Sequence, residues 1–199
     1  MNVKICGITK LEDATVAVDA GADFIGFVFA PSKRYIKPKD AKTIATQINS
    51  NIKKVGVFVN ESIKNMNQIA KEVGLDYIQL HGDEPAEIAA ALPLPVIKAF
   101  SIHDVTSDIL QTYPCDYFLI DSPGEKYRGG SGKTFDWTKL EQLGMDRGKC
   151  MLAGGLTAEN VQKAITIARP IGVDVSSGIE TNGVKDATKI KQFIHHAKK

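Results

Sequence analysis

The sequence predicts a closed (βα)8 barrel, the TIM-barrel architecture, on three observations. Eight short apolar runs recur along the chain, and a helix-like stretch follows each. Each run ends abruptly in a small, polar or reactive residue. Cys6 and Asp121 end the first and sixth; Ala153-Gly154-Gly155-Leu156 and Asp174-Val175-Ser176-Ser177-Gly178 end the last two. No linker or shift of composition divides the chain, so residues 1–199 are expected to form a single domain. In a parallel barrel the C-terminal ends of all strands meet at one mouth, where a thiol, a carboxylate and a phosphate cradle would converge.

The expected strands are 2–6, 23–29, 54–59, 76–80, 96–100, 116–120, 149–153 and 172–176, all rich in Val, Ile and Phe. They are continuous in apolarity rather than alternating, as befits a parallel sheet covered by helices. Between them Leu11, Ala14 and Val18 share a helical face, as do Ile63, Met66, Ala70 and Val73, and Ile190, Phe193, Ile194 and Ala197. A further helix is predicted over 104–112. Thr9, Ser62, Asp83 and Thr157 are candidate N-caps, and Pro38 and Pro85 suit first-turn positions. Gly21, Gly74 and Gly144 sit where helices should stop. The chain of 199 residues is short for a barrel of this kind, which usually takes about 250, so loops and helices must be short. A doubly wound open sheet is the rival, but it has fewer strands and a glycine-rich turn after its first one, where only Gly7 stands here. The irregular segment 122–135 follows the sixth strand, and its four glycines make it a candidate mobile lid over the mouth.

Composition narrows the function. The net charge is +2 and lysines are scattered, which leaves no footprint for nucleic acid. No apolar stretch is long enough to span a bilayer, and the chain opens directly into a strand without signal-peptide zones. Three cysteines without a C-x-x-C pair suit a reducing cytoplasm. Four histidines offer no zinc spacing, so no metal is expected. Gly132-Lys133-Thr134 mimics the end of a P-loop, but Tyr127 stands where the earlier glycine is needed.

Cys6 ends strand one, with Lys4 two residues earlier on the same side. Burial as inert packing is the default for a cysteine. At a barrel strand tip, a neighbouring cation would instead stabilise the thiolate and make a usable base. Cys115 and Cys150 begin strands at the opposite end and read as structural. Asp121 ends strand six before a loop, where a helix cap has no client; apolar walls would raise its pKa and let it donate a proton. Gly154 and Gly155 after strand seven, and Ser176, Ser177 and Gly178 after strand eight, read as a phosphate cradle, completed by a short extra helix at 183–186. Arg34, in Ser32-Lys33-Arg34-Tyr35, is either solvated or a fork for a substrate carboxylate. His81 at the tip of strand four is either a ligand contact or packing. His195 and His196 read as surface residues. The partner so described is a small phosphosugar.

With these residues in place, the chain resembles the phosphoribosylanthranilate isomerases over essentially its whole length. The resemblance runs through Lys4-Ile5-Cys6-Gly7, Gly26-Phe27-Val28-Phe29, Ser32-Lys33-Arg34-Tyr35-Ile36, Gly56-Val57-Phe58-Val59-Asn60, Gln79-Leu80-His81-Gly82, Asp121-Ser122, Gly129-Gly130-Ser131-Gly132, Ala153-Gly154-Gly155-Leu156 and Asp174-Val175-Ser176-Ser177-Gly178-Ile179-Glu180. Ser131 and Ile179 replace the family's commoner Thr and Val. The resemblance implies an Amadori rearrangement in tryptophan biosynthesis without metal or organic cofactor. Cys6 would be its general base and Asp121 its general acid. Arg34 would hold the anthranilate carboxylate, with His81 and Asp174 at the substrate and the last two loops on the phosphate. A monomer and a homodimer are both compatible with it. Two alternatives are an indole-3-glycerol-phosphate synthase, which resemblance would equip with a lysine acid and a longer N-terminus, and a non-catalytic phosphosugar-binding barrel without the acid–base pair.

Overall fold

In the computed structural model, which describes residues 1–49, 51–122 and 134–199, eight parallel strands close into a barrel. They are β1 (Asn2–Cys6), β2 (Phe24–Val28), β3 (Lys53–Phe58), β4 (Tyr77–Leu80), β5 (Val96–Ser101), β6 (Tyr117–Asp121), β7 (Cys150–Leu152) and β8 (Gly172–Val175). Each pairs with the next, and β8 returns to β1 through Asn2↔Gly172 and Lys4↔Asp174. The helices are α1 (Leu11–Asp19), α2 (Pro38–Gln47), α3 (Ile63–Val73), α4 (Ala86–Ala90), α5 (Ser107–Thr112), α6 (Lys139–Gln142), α7 (Val161–Ala168) and α8 (Ala187–Ala197). Economy of length comes from α4, α5 and α6, none longer than six residues, and from a three-residue β7.

The continuous apolarity of the strands has two destinations. Phe24, Val55, Ile97, Ala99, Leu119, Met151 and Ala153 fill the barrel interior as a separate cluster, with Tyr77 and Tyr117 packed against it. The alternate residues, such as Val3, Ile5, Ile25, Phe118 and Ile120, pack outward with the helices in the larger core. Phe24, Tyr77 and Tyr117 meet ring to ring, with centroids 5.6 to 6.4 Å apart. The apolar content is therefore concentrated towards the barrel's base, and polar inward positions fall nearer the mouth.

Local signals held in part. Ser62 caps α3 by accepting from the Asn65 amide, Gly74 ends it in the left-handed region, and Pro38 opens α2. Thr9, Asp83 and Thr157 do not cap: the cap positions are Lys10, Pro85 and Asn160. Asn160 Oδ1 instead accepts from the Thr157 amide three residues back, as in one half of a capping box, and a turn over 158–160 precedes α7. Pro85 is itself the cap of α4 rather than its first residue. The extra helix expected at 183–186 is also displaced. The helical turn is Ser177–Ile179, and the following residues form a hairpin, β9 (Glu180–Thr181) with β10 (Val184–Lys185). Asn182 and Gly183 both take positive φ, which makes a tight two-residue turn there. Nearly all of the candidate lid at 122–135 lies outside the described residues.

Candidate active site

The strand register decides which side chains share the mouth. Lys4 and Cys6 have inward parity on β1, and so do Gln79 on β4, Leu119 and Asp121 on β6, and Asp174 on β8. Asp121 and Asp174 line one cavity with Gly154, Gly155, Ser176, Ser177 and Gly178. The thiol of Cys6 stands at the adjoining strand tip. The Ser176 hydroxyl donates to its carbonyl at 3.1 Å, and the thiol is packed against Gly26. A larger cavity beside Trp137, Asn160 and Lys163 contains none of these groups.

Beneath the thiol lies a buried ion pair. Lys4 is fully buried, and its Nζ is 2.8 Å from Asp174 Oδ1. Burial works against the ammonium, but Asp174 and Cys6 outweigh it, and the pKa of Lys4 is raised. For Cys6 the balance goes the other way. Burial pushes the thiol up, and Lys4 and Lys185 only partly oppose it while Asp174 adds to it. Lys4 favours the thiolate, as expected, but desolvation outweighs that cation and leaves the thiol pKa raised. Cys115 and Cys150 lie at the base of β6 and β7 as expected, each pushed up to about 12 by burial.

The Asp121 carboxylate is not walled by apolar groups alone. Its Oδ1 accepts from the Ser122 amide at 2.7 Å and lies 3.3 Å from the Ser122 hydroxyl. Oδ2 lies 3.7 Å from His81 Nε2, close but beyond hydrogen-bond length. His81 Nδ1 meets Gln79 Nε2 at 2.9 Å, which orients the imidazole towards Asp121. His81 thus sits beside the acid rather than in packing. His195 is exposed, whereas His196 is half-buried with Nδ1 2.6 Å from the Ala158 carbonyl, contrary to a surface role.

The two loops expected to cradle an anion lie side by side. Gly154 and Gly155 have positive φ, and Asn160 Nδ2 braces the turn by donating to the Gly155 carbonyl at 2.9 Å. Gly178 lies so close to the Leu156 carbonyl that any Cβ would overlap it, so the two loops are in backbone contact. Arg34 is not merely solvated, because one edge of its guanidinium is paired. Its Nε and Nη2 donate to the two oxygens of Glu180 at 2.7 and 2.9 Å.

Sequence reasoning passed over Gln79, Lys98, Glu84 and Lys185. Two of them, Gln79 and Lys98, were marked by a signal, a polar residue inside an apolar run. Lys98, outward on β5, donates to the Gly82 carbonyl at 2.7 Å and to Glu84 at 2.8 Å, and Glu84 accepts from the Asn60 and Gly82 amides. That buried cluster fixes the loop carrying His81.

Known proteins share this arrangement. A family model described as "N-(5'phosphoribosyl)anthranilate (PRA) isomerase" matches residues 3–196. An N-(5'-phosphoribosyl)anthranilate isomerase of Listeria monocytogenes serovar 1/2a is 51% identical over 199 residues, covering 100% of this chain and 98% of the relative. The crystal structure of the Thermotoga maritima phosphoribosyl anthranilate isomerase superimposes with a TM-score of 0.89 at 43% identity, covering 100% and 98% of the two chains. Another such isomerase, solved in complex with reduced 1-(o-carboxyphenylamino)-1-deoxyribulose 5-phosphate, gives 0.86 at 40% identity over the same shares. With a family model matched over residues 3–196 and a relative 51% identical along the full chain, this chain belongs to the N-(5'-phosphoribosyl)anthranilate isomerase family.

Proposed function

We propose that this chain, as one catalytic domain over 1–199, isomerises N-(5-phosphoribosyl)anthranilate to 1-(2-carboxyphenylamino)-1-deoxyribulose 5-phosphate, a step of tryptophan biosynthesis. Asp121 is the general acid and Cys6 the general base. The observation that supports this assignment is one cavity lined by Asp121 and the loops after β7 and β8, with Cys6 at inward parity on β1. The reduced product analogue bound by a 40% identical relative is the kind of ligand that such a mouth would take.

Asp121 donates its proton to the ribose ring oxygen. The bond from that oxygen to the anomeric carbon breaks, and the anilino nitrogen lone pair forms a cationic Schiff base. The Cys6 thiol yields its own proton to water as the cation forms; the thiolate then takes the proton from C2, the C2–H pair becomes the C1–C2 double bond, and the imine pair returns to nitrogen to give the enolamine. Tautomerisation moves the enol proton to C1 and leaves the ketone. Every step is a proton transfer, so two side chains suffice. A thiol disfavoured as an anion at rest gains what it lacks when the Schiff-base cation forms beside it, because an opposite charge favours the ionised form. Arg34 holds the anthranilate carboxylate, His81 and Asp174 border the sugar, and the loops after β7 and β8 hold the phosphate. A phosphosugar is the natural partner, and the cytoplasm the natural compartment.

The test is turnover, followed by loss of substrate fluorescence. Cys6→Ser and Asp121→Asn should each lower kcat by at least about 10²-fold with the fold intact. A variant with unimpaired turnover removes its residue from the mechanism. A wild-type chain that does not consume the substrate ends the assignment altogether.

A further inference from the structure

We propose that Glu180 is a positioning residue that aims the Arg34 guanidinium at the substrate carboxylate and ties that anchor to the phosphate loop. This rests on the assignment of Arg34 to the carboxylate end of the substrate. Arg34 lies in the loop after β2, and Glu180 begins the hairpin after β8, 146 residues away. The pair is bidentate, Nε to Oε1 at 2.7 Å and Nη2 to Oε2 at 2.9 Å. Two parallel bonds fix the plane of the guanidinium as well as its position. They use only the Nε–Nη2 edge and leave the edge bearing Nη1 for a second carboxylate.

Burial is graded across the pair in the same sense. The Glu180 side chain is 9% exposed and that of Arg34 25%, so the carboxylate faces the protein and the guanidinium faces out. Gly7 supplies the clearance: a Cβ there would stand 2.5 Å from Arg34 Cδ. Glu180 is itself anchored. Lys185 Nζ, on a side chain 4% exposed, donates to Oε1 at 2.8 Å. The same ammonium donates to the Ser176 carbonyl at 2.8 Å and lies 3.3 Å from the Ser176 hydroxyl, in the phosphate loop. A chain of contacts, Arg34–Glu180–Lys185–Ser176, therefore joins the two anionic ends of the substrate site. Burial alone would raise the Glu180 pKa, but Arg34 and Lys185 hold it below the usual carboxylate range, so it stays an anion between two cations. An arginine without this brace would have to lose its rotamer freedom on each binding event.

The experiment is a kinetic cycle of Glu180→Gln, Arg34→Ala and the double variant, each checked for native circular dichroism. Partners that orient a ligating side chain typically cost 10–100-fold when removed, so Glu180→Gln should raise KM by about tenfold. A brace that serves ground and transition states alike leaves kcat within about threefold. The double variant should match Arg34→Ala, because Glu180 acts through Arg34. If Glu180→Gln does not fold, Glu180→Asp, which keeps the charge but withdraws it by one methylene, should raise KM in the same direction. The proposal is overturned if KM is unchanged, if it falls (Glu180 would then compete with the substrate), or if the two effects add in full. An unchanged KM in Arg34→Ala removes the carboxylate assignment itself, and the proposal with it.

Discussion

Replacing Lys4 by Met would test the buried ion pair and the thiol together. The ammonium has no solvent exposure, and its partner Asp174 has a side chain only 9% exposed, at 2.8 Å. Met fills much of the lysine's volume without its charge, so the change leaves a buried carboxylate without its cation. Breaking one side of such a pair costs about 3–5 kcal/mol, chiefly from the stranded charge. Lys4→Met/Asp174→Asn removes both charges and should recover most of that loss. Activity should not follow stability. Burial holds the Cys6 thiol up, and Lys4 is the strongest influence in the opposite direction. Without it, alkylation of Cys6 at fixed pH should slow and kcat should fall in both variants. Urea unfolding measures the stabilities, and iodoacetamide labelling read by mass spectrometry measures the thiol. A single variant destabilised by less than about 1 kcal/mol would mean that water screens the pair, as on a surface. A double variant no better than the single would sink the stranded-charge explanation. Unaltered alkylation would show that Lys4 does not influence the thiol.

Two other outcomes follow from the same geometry. Glu84 is buried, which alone would raise its pKa, but Lys98 and the Asn60 amide overcome this and lower it. A depressed carboxyl stabilises the fold above its unfolded value and loses that contribution as pH falls through the folded one, so stability to urea should decline as pH drops below about 4.3. Glu84→Gln should flatten that drop, and an unchanged pH slope would exclude Glu84 as its source. Gly26→Ala would place a Cβ 2.9 Å from Cys6 Sγ, 3.2 Å from Cys6 Cα and 3.3 Å from Lys4 Nζ. Overpacking of this kind costs about 1–3 kcal/mol; here it should also lower kcat by displacing Cys6, the proposed base, and wild-type turnover would contradict that proposal.

Much of the site was readable because the barrel sends every strand's last residue to one place. Eight runs imply one mouth, and Cys6, Asp121, the glycine-rich ending of strand seven and the Ser-Ser-Gly ending of strand eight are all directed to it. Pro38, Ser62 and Gly74 were equally legible, since proline, a capping hydroxyl and a left-handed glycine act within a few residues. The errors were also local. Thr9, Asp83 and Thr157 have capping chemistry, but the chain turns before their helices begin. The hairpin at 180–185 replaced an expected helix because two consecutive positive-φ residues favour reversal.

Sequence alone determined the fold class, the family and the end of the barrel at which chemistry occurs, because periodicity and strand endings are properties of neighbours along the chain. Tertiary structure decided the charge state and the partnerships. Lys4 meets Asp174 across 170 residues, Arg34 meets Glu180 across 146, and Lys98 leaves its strand to find Glu84. It also decided that burial raises the Cys6 thiol pKa against the pull of Lys4, a balance that depends on how much water burial removes. Coulomb attraction and desolvation act through space, so their balance was fixed only when the barrel closed.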